Sequence, residues 1–383
     1  MDYWVFVESL YNTSLSLFFF VLMSLMYYIG VKGYRAKNSY GGISSILCGI
    51  CFLIYGYYNT MIGFFTYPFT GFMVWWIGMI LIVNLIFTTI IRRDIKKMRI
   101  VVKNGNKEGE DIREKSVLRR YIRRMTVEDP YMEEIPFKME VIRKSFHLSG
   151  FLLVIAFYGI FTIPPILSLI NDGIIVMIQQ SEPIYNFLWR SNYPFGIGDF
   201  QAVVELTMFA LIGALAFAII SDIIRIVWGP EYSIFNFLTK SMLRNKEKNA
   251  AGPQIYIITG FIFSYMLYMA EIIPDVRIFF AGILIACLSD ASAALIGRRF
   301  GKHKVILRNK DVKSIEGFIA GVVIAYIIGL VLVGPVYAIV GALIFFLTDY
   351  LPSVTADNIL NPIVIPIGIQ LVVILLGLPI GWF

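Results

Sequence analysis

The chain has 383 residues, of which 58% are hydrophobic and only 15% charged, with a mean hydropathy of +0.74. A soluble domain carries about a quarter of its residues as charges, and here the apolar residues arrive in blocks of about 20, enough to cross roughly 30 Å of hydrocarbon. Composition therefore excludes an ordinary soluble globule and points to an all-α, polytopic transmembrane helical bundle.

In chain order the apolar blocks predict about ten spans, near 14–31, 43–65, 72–91, 148–170, 202–224, 254–273, 276–297, 315–334, 336–350 and 361–382. The first block starts late and lacks a small-residue cleavage signal, so no secretory leader is expected. The connection at 171–201, "NFLWRSNYPFG" included, is amphipathic and expected to lie in the interface or re-enter. Of 33 Lys and Arg residues, all but Arg190 and Arg277 fall in 32–42, 92–147, 225–248 and 298–313. Those four stretches share one side of an alternating ten-span arrangement. The positive-inside rule makes that side cytoplasmic, with the N- and C-termini outside and the chain in a cell membrane. The net charge of +7 is then topological, and no nucleic-acid partner is expected. The chain divides into a three-span segment 1–91, a basic helical cytoplasmic insertion 92–147 suited to anionic headgroups, and a seven-span core 148–383. Cys48, Cys51 and Cys287 lie inside apolar blocks, and "CGIC" reads as mid-helix packing rather than a redox pair.

Ionisable residues inside a membrane are costly and mark functional sites by default. Asp222 ends the fifth span in "AIISDIIRI", with Arg225 three residues on. Asp290 lies within "ACLSDASAALIG", with no base within four residues on its own helix. Ala294 and Gly297 share its face and are expected to leave room beside the carboxylate. Asp357 and Asn358 precede the last span in "TADNILNP", and Glu140, Arg143, Lys144 and His147 form one helical stripe in "EVIRKSFH". Local ion pairs Asp222–Arg225 and Glu140–Lys144 are the bland alternative. Carboxylates beside bases at a hydrocarbon boundary suit a polyphosphate carried with a divalent cation. Lys313 and Ser314 open the eighth span, where helix amides favour phosphate, and Glu316 sits in its first turn. No Walker sequence, "GxSxG" or "HExxH" occurs, and two histidines exclude a His-rich metal centre.

The block "SDASAALIGRRFGKHK…KSIEGFIAG", with "RKSFH" before it, "SDIIRI" between and "DNILNP" after, resembles the CTP-dependent lipid kinases of dolichol, phytol and, in yeasts, diacylglycerol. "MLRNKEKNAAGPQIYIITG" adds Arg244, Glu247 and Gly252 to the likeness, which spans about 140–383. The same block is similar to CDP-diacylglycerol synthase, but "DNILNPIVIPIG" departs from that enzyme's basic C-terminal signature. Ser289 departs in the other direction, since kinases of this family often carry Gly there.

The resemblance implies transfer of the γ-phosphoryl group of CTP to a membrane lipid alcohol, of the long-chain isoprenoid type, giving the lipid monophosphate and CDP. It implies Mg²⁺ on Asp290 with Asp357 as companion. Arg143, Lys144, Arg225, Arg244, Arg298, Arg299, Lys302, Lys313 and Ser314 would hold the triphosphate, and Glu316 and Asn358 would orient around it. Asp222 or His147 would serve as base near the lipid hydroxyl, with the choice left open. The substrate enters sideways from the bilayer, and a homodimer is compatible with this reading.

Overall fold

The structure, a computed structural model, describes residues 2–103, 117–126, 131–132, 136–145, 152, 164–192, 194–195, 200–239, 243–244, 248–306, 312–350 and 355–382. Helices dominate: α1 (Tyr3–Arg35), α2 (Ser39–Met61), α3 (Phe69–Lys103), α4 (Val117–Thr126), α5 (Phe137–Ser145), α6 (Pro164–Trp189), α7 (Phe200–Trp228), α8 (Ile234–Thr239) and α9 (Pro253–Met269). Beyond these lie α10 (Val276–Leu284), a π-turn (Ile285–Ser289), α11 (Asp290–Phe300), α12 (Ile315–Leu332), α13 (Pro335–Tyr350) and α14 (Asp357–Leu376). Among the described residues seven helices are long and apolar enough to cross a bilayer: Tyr3–Arg35, Ser39–Met61, Phe69–Lys96, Gln201–Trp228, Val276–Phe300, Ile315–Leu332 and Asp357–Leu376. The chain is a helical multi-pass membrane protein.

Two minimal ladders depart from an all-α expectation. β1 (Tyr131–Met132) pairs in parallel with β2 (Leu243–Arg244), and β3 (Lys304–Ile306) pairs antiparallel with β4 (Val312–Ser314). The expected span 254–273 appears as a shorter helix, α9 of 17 residues, and 336–350 appears as α13 of 16 residues, within one residue of its expected bounds. Most of the expected span 148–170 lies outside the described residues. Its expected end at 170 is not a helix end, because α6 runs unbroken from Pro164 to Trp189. A proline pair suits a helix start, and nothing between 170 and 182 forces a stop.

Contacts fix which helix ends lie together. At one end Lys32 donates to Ile226 O, Asn38 Nδ2 to Lys248 O, and Ala356 N to Ser44 Oγ. At the other, Thr66 N donates to Glu205, Tyr67 Oη to Trp189 O, and Arg277 Nη1 to Ile380 O. The first end carries the basic stretches. Between them runs an apolar core that includes Phe19, Phe52 and Tyr55 from the first two helices and Phe261, Tyr265 and Phe279 from the later ones. In lipid such packing rests on close backbone approach more than on burial from water. A Cβ at Gly317 of α12 would strike Ala293 O and Gly297 Cα of α11, and one at Gly282 of α10 would meet the Pro366 ring of α14. The first contact seats α12 on α11 at the basic end, and the second holds α14 against α10 within the bundle.

Candidate functional site

The span from Val276 to Phe300 is interrupted by the π-turn at Ile285–Ser289, directly before Asp290. An extra residue in one turn widens the helix and re-aims the side chains beyond it, and such turns recur at functional sites. Asp290 is 8% exposed. Its base comes from a distant part of the chain: Lys144 Nζ of α5 lies 2.5 Å from Asp290 Oδ2. Beside it on α5, Glu140 is 1% exposed and lies 3.4 Å from Arg298 Nη2 of α11. The stripe on α5 thus reaches across to α11, and Lys144 bonds there rather than along its own helix. The Arg143 side chain and His147 lie outside the described residues.

Asp349 and Asp357 complete the group. Carboxylate oxygens of Asp290, Asp349 and Asp357 lie within 4.8 Å of one another. Asp349 ends α13 and is buried, and Asp357 opens α14. Lys313, in β4, donates from Nζ to Asp349 Oδ1 at 2.7 Å and to Asp349 O at 2.6 Å. Burial works against the Lys313 ammonium, but Asp349, Asp357 and Asp290 around it hold its pKa above the usual lysine value. Among the described residues, three carboxylates face two ammonium groups here, a negative surplus at a largely buried place. Asp349 Oδ2 is buried without a hydrogen-bond partner. A hard divalent cation takes such oxygen donors, so this acid set fits Mg²⁺.

The other residues named from the sequence fall around this centre in different ways. Ser314 caps α12, its Oγ accepting from Gly317 N at 3.1 Å. Gly297 does not leave open room beside Asp290: a Cβ there would meet Ser314 Oγ at 2.7 Å and Gly317 Cα at 3.3 Å, because α12 packs onto that face. Glu316 is turned to the β3–β4 hairpin, with Oε1 2.7 Å from His303 Nδ1 and accepting from His303 N at 3.2 Å. Arg299 lies over the Phe300 ring at 5.5 Å, and Arg299 and Lys302 are exposed. The Asn358 N–H donates to Asp357 Oδ1 at 2.9 Å. The Arg244 side chain and Glu247 lie outside the described residues.

Asp222 and Arg225 form a separate group. Arg225 Nε is 2.5 Å from Asp222 Oδ1, Gly252 N donates to Asp222 Oδ2 at 2.6 Å, and Arg225 Nη2 donates to Ala250 O at 2.6 Å. Both oxygens of Asp222 are thereby engaged, and the loop entering α9 is tied to α7.

A cytidylyltransferase-family profile matches residues 144–377, from Lys144 of α5 to the residue after α14. The chain belongs to the cytidylyltransferase family. Lys144, Asp290, Lys313, Asp349 and Asp357 all fall within this family region, whereas α1, α2 and α3 precede it. Among individual relatives, a "CTP-dependent diacylglycerol kinase 1" of Schizosaccharomyces pombe (strain 972 / ATCC 24843) is 28% identical over 121 residues. That alignment covers 31% of this chain and 53% of the relative, so the chain spans about half that relative's length. The resemblance to CTP-dependent lipid kinases therefore holds within the cytidylyltransferase family. No solved structure matches the chain.

Asp349 was not singled out in the sequence. It sits in "ALIFFLTDY", where an acid at the end of an apolar run looks like a span boundary. The signal was present, because the argument that singled out Asp290 applies equally to this carboxylate, eight residues before Asp357.

Proposed function

We propose that the protein is a CTP-dependent lipid kinase, transferring the γ-phosphoryl group of CTP to the hydroxyl of a lipid alcohol held in the bilayer. The observation that carries this reading is the convergence of Asp290, Asp349 and Asp357 with Lys144 and Lys313 at the basic end of a membrane bundle. Phosphoryl transfer asks a protein for positioning and charge neutralisation more than for covalent help. Asp290, Asp349 and Asp357 would hold Mg²⁺, which when bound would supply positive charge to the phosphate oxygens of the nucleotide. Lys144 and Lys313 exchange part of their carboxylate bonding for phosphate oxygens, and Arg298, Arg299 and Lys302 approach from the exposed side. Arg143, Arg244, Ser314 and Asn358 complete the nucleotide side, as the sequence pattern suggests. Glu316 holds the hairpin that carries Lys313 close to the site.

The acceptor oxygen forms a bond to the γ-phosphorus while the bond from that phosphorus to the β-bridging oxygen breaks. CDP leaves with the bridging oxygen, and the hydroxyl proton passes to a base. Asp222 has both oxygens engaged, so we assign that proton to His147 and give Asp222 the task of holding 250–252. The resemblance to the dolichol and phytol kinases leads us to a long-chain isoprenoid acceptor such as a polyprenol, whereas the fission-yeast relative is named for diacylglycerol. In this reading the active site faces the cytoplasm and both termini face outside, which the distribution of Lys and Arg supports.

A second reading has an observation in its favour. The matching family is named for cytidylyl transfer, in which a lipid phosphate attacks the α-phosphorus and pyrophosphate leaves. Purified protein in detergent, supplied with γ-labelled CTP or ATP and a panel of polyprenols, phytol and diacylglycerol, separates the readings. Label entering the lipid phase from CTP, with CDP released, is the expected result. Pyrophosphate release and unlabelled lipid would support cytidylyl transfer instead, and the panel names the acceptor.

A further inference from the structure

The N-terminal hairpin α1–α2 lies outside the family region, yet its cytoplasm-proximal turn touches both the 248–251 loop and, through one side chain, the three-acid site. Gly41 of α2 packs so closely on Ala250 that a Cβ there would collide with it, and Asn38 Nδ2 donates to Lys248 O at 3.0 Å. Ser45 Oγ accepts from Ala251 N at 3.4 Å. Ser44, one residue earlier and 0% exposed, serves a different segment: its Oγ accepts from Ala356 N at 2.8 Å and donates to Tyr40 O at 2.7 Å. Ala356 is the residue before Asp357 and the N-cap of α14, where no side chain of its own caps the helix. A helix start without a local cap has free orientation to lose, and a buried external acceptor takes up that role.

We infer that Ser44 is a positioning residue: by holding the Ala356 N–H it fixes the start of α14 and therefore the Asp357 carboxylate within the three-acid cluster. This makes the N-terminal hairpin part of the cation-holding site, and it rests on the reading of Asp290, Asp349 and Asp357 as Mg²⁺ ligands. Outer partners that orient metal ligands typically change metal affinity by about 10- to 100-fold when removed. Ser44 acts one backbone step further away, so the low end applies, about tenfold.

The test is a Mg²⁺ titration of the thermal unfolding midpoint of the full-length protein in detergent, which reads cation binding without turnover. Wild type, Ser44→Ala, Ser44→Thr, Ser45→Ala and Asp290→Asn are compared. The expected result is a half-saturating Mg²⁺ concentration raised about tenfold in Ser44→Ala, restored towards wild type in Ser44→Thr, and unchanged in Ser45→Ala. Asp290→Asn loses the Mg²⁺ response. An unchanged Mg²⁺ dependence in Ser44→Ala, or the same weakening in Ser44→Thr and Ser45→Ala, overturns the role of Ser44. Absence of any Mg²⁺ response in wild type overturns the cation reading itself, which is a separate failure.

Discussion

Asp222 and Asp290 lie at the same end of the bundle, are both buried, and each has a basic partner 2.5 Å away, yet their surroundings differ. Asp222 meets Arg225 three residues along its own helix. Its second oxygen takes the Gly252 N–H, and Arg225 also holds Ala250 O, so both carboxylate oxygens and two of the guanidinium nitrogens are bonded within the chain. Among the described residues, Asp290 belongs to a set drawn from five separate segments, in which three carboxylates face two lysines and Asp349 Oδ2 has no hydrogen-bond partner. A balanced network stabilises; a surplus of buried negative charge needs something positive from outside. This contrast separates a fastening from a site.

The largest expected effect lies at the surplus. Asp290→Asn lowers CTP-dependent transfer to lipid by at least about 100-fold while the protein stays folded, because the substitution relieves repulsion as it removes a donor oxygen. Labelled-lipid formation and the thermal midpoint, measured on one preparation, check both halves. The contrasting substitution is Arg225→Met, which leaves the Asp222 carboxylate buried without its cation and costs about 3–5 kcal/mol of stability. Pairing it with Asp222→Asn restores part of that loss in a double-mutant cycle followed by thermal unfolding. A comparable recovery of stability when Lys144→Gln is paired with Asp290→Asn would erase the distinction between the two groups.

Lys144→Gln gives a smaller effect of a different kind. Without its ammonium the acid set is more negative, so the midpoint without cation falls by about 1–3 kcal/mol in equivalent stability. The gain on adding Mg²⁺ widens, because the cation then relieves more repulsion. Glu316→Gln gives the smallest effect. It weakens a solvent-screened pair with His303, so the thermal midpoint barely moves and transfer activity changes by only a few fold. A loss for Glu316→Gln as deep as that for Asp290→Asn would move the hairpin from support into the chemistry.

The sequence made much of this readable for a physical reason: a buried charge in an apolar run stands out by its cost. Asp222 and Asp290 were visible on that ground, Asp357 by its place in "TADNILNP" just before the last span, and the bases by their gathering at one end. Asp349 carries the same signal but ends its apolar run, where an acid is ordinary, so the third member of the cluster was hidden by its position. Partners distant in sequence left no local trace. Lys144 finds Asp290 across 146 residues, and Ser44 finds Ala356 across 312. Arg298 and Lys313 were expected to face phosphate, and they were legible as bases, but their pairing with Glu140 and Asp349 arises only when α5, α11 and α13 come together. The π-turn before Asp290 was equally invisible, since "IACLS" has no residue that marks an extra residue in a helical turn.

The most direct measurement of the central claim is Mn²⁺ binding to the purified full-length protein, followed by electron paramagnetic resonance as the free-ion signal is lost. The account predicts a bound Mn²⁺ that is displaced by Mg²⁺, weakened or lost in Asp290→Asn, Asp349→Asn and Asp357→Asn alike, and kept in Glu205→Gln at the opposite end of the bundle. Binding that survives all three aspartate substitutions, or no binding by the wild-type protein, would contradict it.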